Sequence, residues 1–359
     1  MSGFGLGPLP RTYDAALRDA RDRKTSVRLS AVRDLARHAG GIAGGRAVRA
    51  LLEVLASDSS AEVRGAAAVA LADSGSKDAV DGLVQAADDL SVHVRQMALL
   101  ALGEVSTPGN EQVLETVERA LASDQASLRF QALIALSRLA TERAGPAVLR
   151  ATKDSDSEVR HLAFRVLEER ASEESGVLRI GVDVAKAARA ALEDESLGVR
   201  LCAAILLARS GDRAGAPVIV EAVNRVGSPI DFEDLSVAVA LVADFGLTDA
   251  TLGLMRRAWG GVLSRDPLSY ESKIALARMG DTRARAAIVK GLSSWSRDTR
   301  TLSVVAAGRA QLVEARHRLA EMRGNPSSAE PEAIDEALVR IDEASGDAHD
   351  LPRNKADAV

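Results

Sequence analysis

Apolar residues recur along the chain in a fixed order behind a Val-Arg or Leu-Arg pair. In the clearest copy, Asp58-Ser-Ser-Ala-Glu-Val63-Arg64, alanines follow the valine four and seven residues on (Ala67, Ala70). A leucine follows at eight (Leu71), and Gly75 closes the unit. At about 100° per helical residue these positions share one apolar stripe. The skeleton returns at Val27-Arg28, Val94-Arg95, Leu128-Arg129, Val159-Arg160 and Val199-Arg200, each followed by Ala and Leu at the same offsets. The six arginines stand 36, 31, 34, 31 and 40 residues apart, which is an internal repeat.

Between the copies lie second apolar-periodic stretches over 48–55, 79–87, 113–121, 147–151, 184–192 and 218–223. Each repeat therefore reads as a helical hairpin. One hairpin cannot bury its apolar face alone, so neighbours must stack into a continuous core. The leading aspartates Asp58, Asp89, Asp124 and Asp194 suit helix N-termini, where a side-chain oxygen accepts from exposed backbone N–H groups. Gly40, Gly75, Gly211 and Gly280 suit left-handed helix exits.

The Asp…Val-Arg…Ala…Ala-Leu…Gly pattern resembles the HEAT-repeat family, armadillo-like proteins, and in particular the short bacterial form known from phycobilin lyases. The resemblance implies an all-α fold, a right-handed α-solenoid of about nine or ten HEAT-like hairpins. Segment 1–10 is Gly/Pro-rich and expected to be flexible. The solenoid is expected over 11–344, more regular over 11–210 and divergent over 211–344. The polar tail 345–359 is expected to be disordered. The insertion at 171–180 reads either as a lengthened loop or as a binding loop on one face. After the Gly324–Pro331 linker the chain predicts a last helix over 332–344.

Composition narrows the chemistry. With 47% hydrophobic and 27% charged residues over 359 positions, the chain supports a large core, while 3% aromatics suit Ala/Leu helix packing. A net charge of −5 supplies no global basic field, so nucleic acid is not an expected partner. No run is long and apolar enough for a membrane span. The lone Cys202 excludes a disulfide framework and fits a reducing cytoplasm. Arginine supplies nearly all the basic residues, which points to a GC-rich bacterial genome.

His38, His93, His161, His317 and His349 fall in different repeats or the tail. They do not form the repeated His-Glu dyads by which one HEAT-repeat enzyme family, deoxyhypusine hydroxylase, holds iron. No metal and no cofactor is expected, and no catalytic residue is assigned. No phosphate-binding loop is present. Trp259 and Trp295 are expected to pack, unlike the cleft aromatics of the basic HEAT-like DNA glycosylases.

Arg28, Arg64, Arg95, Arg129, Arg160 and Arg200 are expected to form a structural ladder with acids of adjacent turns, Asp58, Asp89 and Asp124 among them. In the resembled family the Val-Arg helix lines the concave surface. Two and six positions after the valine lie opposite the stripe. The candidate partner-binding residues from that set are Val69, Gln96, Leu100, Phe130, Ile134, His161, Arg165, Leu201 and Ile205, several too apolar for a simply solvated face. The expected function is a non-catalytic, cytoplasmic protein-binding scaffold or adaptor whose concave groove receives a helix or extended peptide. The alternatives are a lyase-like enzyme or accessory factor holding a small ligand, and nucleic-acid binding through a local arginine face.

Overall fold

The computed structural model describes residues 11–41, 44–107, 109–139, 144–174, 177–227, 230–260, 266–325 and 327–346. The N-terminal segment 1–10, expected to be flexible, lies outside the described residues, as do residues 347–359 of the tail 345–359 expected to be disordered, whereas Ser345 ends the last helix and Gly346 caps it. The chain divides into two compact units, residues 1–171 and 172–359. The division falls at the insertion and not near 210, where the sequence regularity fades.

The first unit contains α1 (Tyr13–Asp19), α2 (Thr25–Ala39), α3 (Gly44–Ser57), α4 (Ala61–Ser74), α5 (Val80–Ala86), α6 (Val92–Val105), α7 (Glu111–Leu121), α8 (Ala126–Arg138), α9 (Ala144–Ala151) and α10 (Ser157–Arg170). Paired in order, these helices make five hairpins, and each even-numbered helix carries the Val-Arg or Leu-Arg pair. The stripe residues Val63, Ala67, Ala70 and Leu71 are all buried, as are Val94, Ala98, Ala101 and Leu102. The position five after the valine is buried as well, at Ala68, Leu99, Leu133 and Phe164. An even-numbered helix is covered on one side by its own hairpin partner and on the other by the next even-numbered helix, so its apolar arc is wider than a single stripe.

Small residues let these helices approach. A Cβ on Gly103 of α6 would sit 3.0 Å from the Ala135 Cα on α8, so a larger residue would push the two helices apart by a few tenths of an ångström. Gly75 ends α4 in the left-handed conformation at φ 61°. Gly40 departs from expectation: it ends α2 at φ −82°, right-handed, and the chain continues through Gly41.

The second unit opens with an antiparallel hairpin, β1 (Ser172–Glu174) and β2 (Val177–Arg179), paired Ser172↔Arg179, Glu173↔Leu178 and Glu174↔Val177. The insertion is therefore a small ribbon and not an irregular loop. Five helical hairpins follow: α11 (Val182–Ala191) with α12 (Leu197–Arg209), α13 (Ala216–Asn224) with α14 (Phe232–Phe245), α15 (Thr251–Trp259) with α16 (Ser269–Arg278), α17 (Thr282–Gly291) with α18 (Arg297–Arg309), and α19 (Arg316–Arg323) with α20 (Pro331–Ser345). Pro331 starts α20, where its missing N–H costs nothing. Apart from the ribbon each unit is an all-α solenoid, giving ten hairpins among the described residues.

Candidate functional site

The turns before the Val-Arg helices share one construction. The residue six before the arginine, Asp22, Asp58, Asp89, Ser123, Asp154 or Asp194, accepts through its side chain the N–H two residues on. The distances are 2.7 Å from Lys24, 2.8 Å from Ser60, 2.7 Å from Ser91, 3.2 Å from Gln125, 2.8 Å from Asp156 and 2.9 Å from Ser196. The aspartate thus precedes the N-cap by two residues and orders the turn, where the sequence pattern had it cap the helix directly. Arg64, Arg129 and Arg160 each donate Nη1 to the backbone oxygen of that turn residue, at 2.7, 2.9 and 2.8 Å.

The same aspartate receives the guanidinium fork of the preceding repeat. Arg28 donates to Asp58 at 2.7 and 2.9 Å, Arg64 to Asp89 at 2.8 and 2.8 Å, and Arg129 to Asp154 at 2.7 and 2.6 Å. These bidentate, largely buried pairs are stronger than exposed ion pairs. Arg64 holds the Asp89 carboxyl below the usual range against the opposing effect of burial. At Asp58 and Asp154 burial pushes upward, but the arginine and the turn N–H together outweigh it.

The ladder breaks at Arg95. In register, its partner position is Ser123; Asp124, one residue later, is exposed and lies outside the ladder. The Arg95 side chain makes no hydrogen bond or ion pair with the described residues, its buried Nε has no partner, and its charge acts on Asp89 only at longer range. Arg200 in the second unit pairs with Glu221 at 2.9 Å.

On the flank of α2, α4 and α6 lies a groove of about 580 Å³, floored by Leu29, Val32, Ala36, Gly65, Val69 and Met97. Its charged rim is mixed: Arg33 and Arg37 come from α2, Glu62 and Asp73 from α4. A Cβ on Gly65 would meet the His93 imidazole at 2.6 Å, so the glycine lets His93 lie over α4.

Of the residues expected to bind a partner, Val69 lines this groove. Gln96, Leu100, Phe130, Ile134, His161 and Arg165 are half-buried, and Gln96 Nε2 donates to the Ser127 carbonyl at 3.5 Å. Leu201 and Ile205 are corrected: they are 0% and 2% exposed and belong to the core. Within its unit α12 is packed by α11, α13, α14 and strand β2, which leaves no solvated face. Leu29, Val32 and Met97 were missed, although Leu29 obeys the same two-after-valine rule in the first repeat. Trp295 is also corrected: it is 95% exposed between α17 and α18. Trp259 is half-buried under the Arg283 guanidinium, 4.1 Å from its ring centre.

The HEAT-repeat family model matches three overlapping stretches, residues 14–92, 48–137 and 80–168. A comparison with curated proteins finds no match. Among solved structures, YibA of Escherichia coli is similar over 74% of this chain and 91% of its own, with 20% identity and a TM-score of 0.51, a likeness of fold. An engineered protein covers 92% of this chain and 98% of its own at 17% identity, with a TM-score of 0.43, too low to carry an argument. With the turn ladder and stacked hairpins that it accompanies, the match identifies residues 14–168 as similar to the HEAT-repeat family.

Proposed function

We propose that the protein is a non-catalytic scaffold or adaptor of a bacterial cytoplasm, and that the row of Val-Arg helices in its first unit docks a helix or extended segment of another protein. The observation carrying this reading is the apolar-floored groove across α2, α4 and α6. A partner segment with apolar side chains fits the floor, and one bearing both signs of charge at its edges fits the rim. Leu100, Phe130 and Ile134 extend the same face along α6 and α8. The ladder arginines have a structural task in this reading. Arg28, Arg64 and Arg129 are committed to aspartates, which leaves them unsuited to a phosphate-binding face. No helix among the described residues is long and apolar enough to cross a membrane.

The test is affinity capture from the source organism's lysate with wild type and a Val69→Glu/Met97→Glu variant of unchanged melting temperature. Loss of one specific protein with the variant supports docking in the groove. Identical captured sets contradict it, and a parallel Phe130→Glu/Ile134→Glu variant reports whether contact extends to α8.

A further inference from the structure

We propose that the segment docked in the groove is an α-helix of about three turns and not an extended peptide, with acidic side chains on its flank toward α2 and basic ones on its flank toward α4. This rests on the docking reading above and decides between the two forms of partner which that reading leaves open.

An extended segment carries backbone N–H and C=O groups along both edges, and each one turned from water needs a partner. The groove supplies almost none. Its own backbone lies within α2, α4 and α6, where these groups are bonded along the helices. Its lining holds no amide and no hydroxyl side chain, only the four rim charges and the His93 imidazole. A helix satisfies its backbone internally and brings only side chains to such a surface.

Shape and charge agree with a helix. Along α4 the lining recurs at helical spacing, Glu62, Gly65, Val69 and Asp73, a run of about 16 Å at about 1.5 Å per residue. Gly65, Ala66 and Ala70 leave hollows beside Val69 into which the side chains of a packed helix fit. Arg33, Glu62 and Asp73 are exposed and make no ion pair among the described residues, while Arg37 pairs with Asp34 of its own helix at 3.0 Å. Opposite charges thus stand on the two sides of the groove unpaired. A helix acidic on one flank and basic on the other answers both sides, whereas one of a single sign sets like charges together along one of them.

The test measures, by fluorescence polarisation on the full chain, three synthetic peptides of about 15 residues built on one leucine stripe, long enough for the groove. The first carries glutamates on one flank and lysines on the other, the second carries glutamates on both, and the third is the first with proline at its centre. The expected result is saturable binding of the first, lost in Val69→Glu/Met97→Glu, with the second and third weaker by about tenfold or more. In Glu62→Lys/Asp73→Lys, changed at two exposed positions, the preference should invert toward the second peptide. Equal binding of the proline peptide assigns an extended occupant and overturns the proposal while docking stands. An unchanged preference in the lysine variant, or binding that survives Val69→Glu/Met97→Glu, overturns it too. Absence of binding by the first peptide overturns the helix alone, because the lysate capture above uses none of these peptides and decides docking by itself.

Discussion

The two units solve one packing problem with different polar chemistry. In the first unit a single device repeats, an arginine forked onto the aspartate of the next turn. In the second the partners are improvised. Arg300 donates to the carbonyls of Ser327 and Ser328, Arg309 forks onto Glu271 at 2.6 and 2.7 Å, and Arg316 onto Asp342 at 2.6 and 3.1 Å. Arg257, 3% exposed, donates to the carbonyls of Val223 and Arg225 at the exit of α13 and reaches Asp266 at 3.2 Å. Stacked hairpins need their helix ends and turns satisfied, but not by any one residue pair. A sequence motif marks only the regular solution, which is why the pattern fades where the fold does not.

The sharpest break in the comparison is Ile205→Glu against Val69→Glu. A carboxylate in the α12 core should cost about 4 kcal/mol and unfold the second unit, whereas at half-buried Val69 the melting temperature should hold. Thermal unfolding followed by circular dichroism reads both. Arg257→Met comes next: it strands two carbonyls and a carboxylate, so denaturant unfolding of the second unit should lose about 3 kcal/mol. Asp89→Ala, which strands the Arg64 fork and the Ser91 N–H, should cost the first unit about 2 kcal/mol. Arg95→Met breaks no side-chain bond and removes a buried donor without a partner, so stability should stay level or rise by up to about 1 kcal/mol.

Acid probes the ladder of the first unit. Asp58, Asp89 and Asp154 have lowered folded-state values, so their stabilisation is fully present above the unfolded carboxylate value of about 4. It is lost as pH falls through the lower folded values. The acid limb of first-unit stability should be shallower in Asp89→Asn, as read by urea midpoints across that range.

Much of the fold was legible because its strongest constraint is periodic. Val63, Ala67, Ala70 and Leu71 are core residues because helical geometry allows no other placement of that stripe. The fifth buried position, Leu99 or Phe164, was not legible, since a single helix wheel does not know that both flanks are covered. The same ignorance put Leu201 and Ile205 on a surface. Ser123 was hidden by Asp124 beside it: only the six-residue offset to Arg129, counted through the turn, sets the register. The ribbon at 172–179 carried a weak signal in Val177-Leu-Arg-Ile after Ser175-Gly176, too short to outweigh an insertion's usual reading as loop. In the groove Val69 is legible from its angle on the helix, while Met97 enters only because α6 lies beside α4, and Val32, 1% exposed, is a core side chain beneath the groove.

Docking on the Val-Arg row is tested most directly by a photoreactive residue placed at Val69 and, as control, at Leu90, which is 100% exposed in the turn before α6. The account predicts a cross-link from position 69 to one defined apolar segment of another protein, with none from position 90. The same adducts from both positions, or none from position 69, would contradict it.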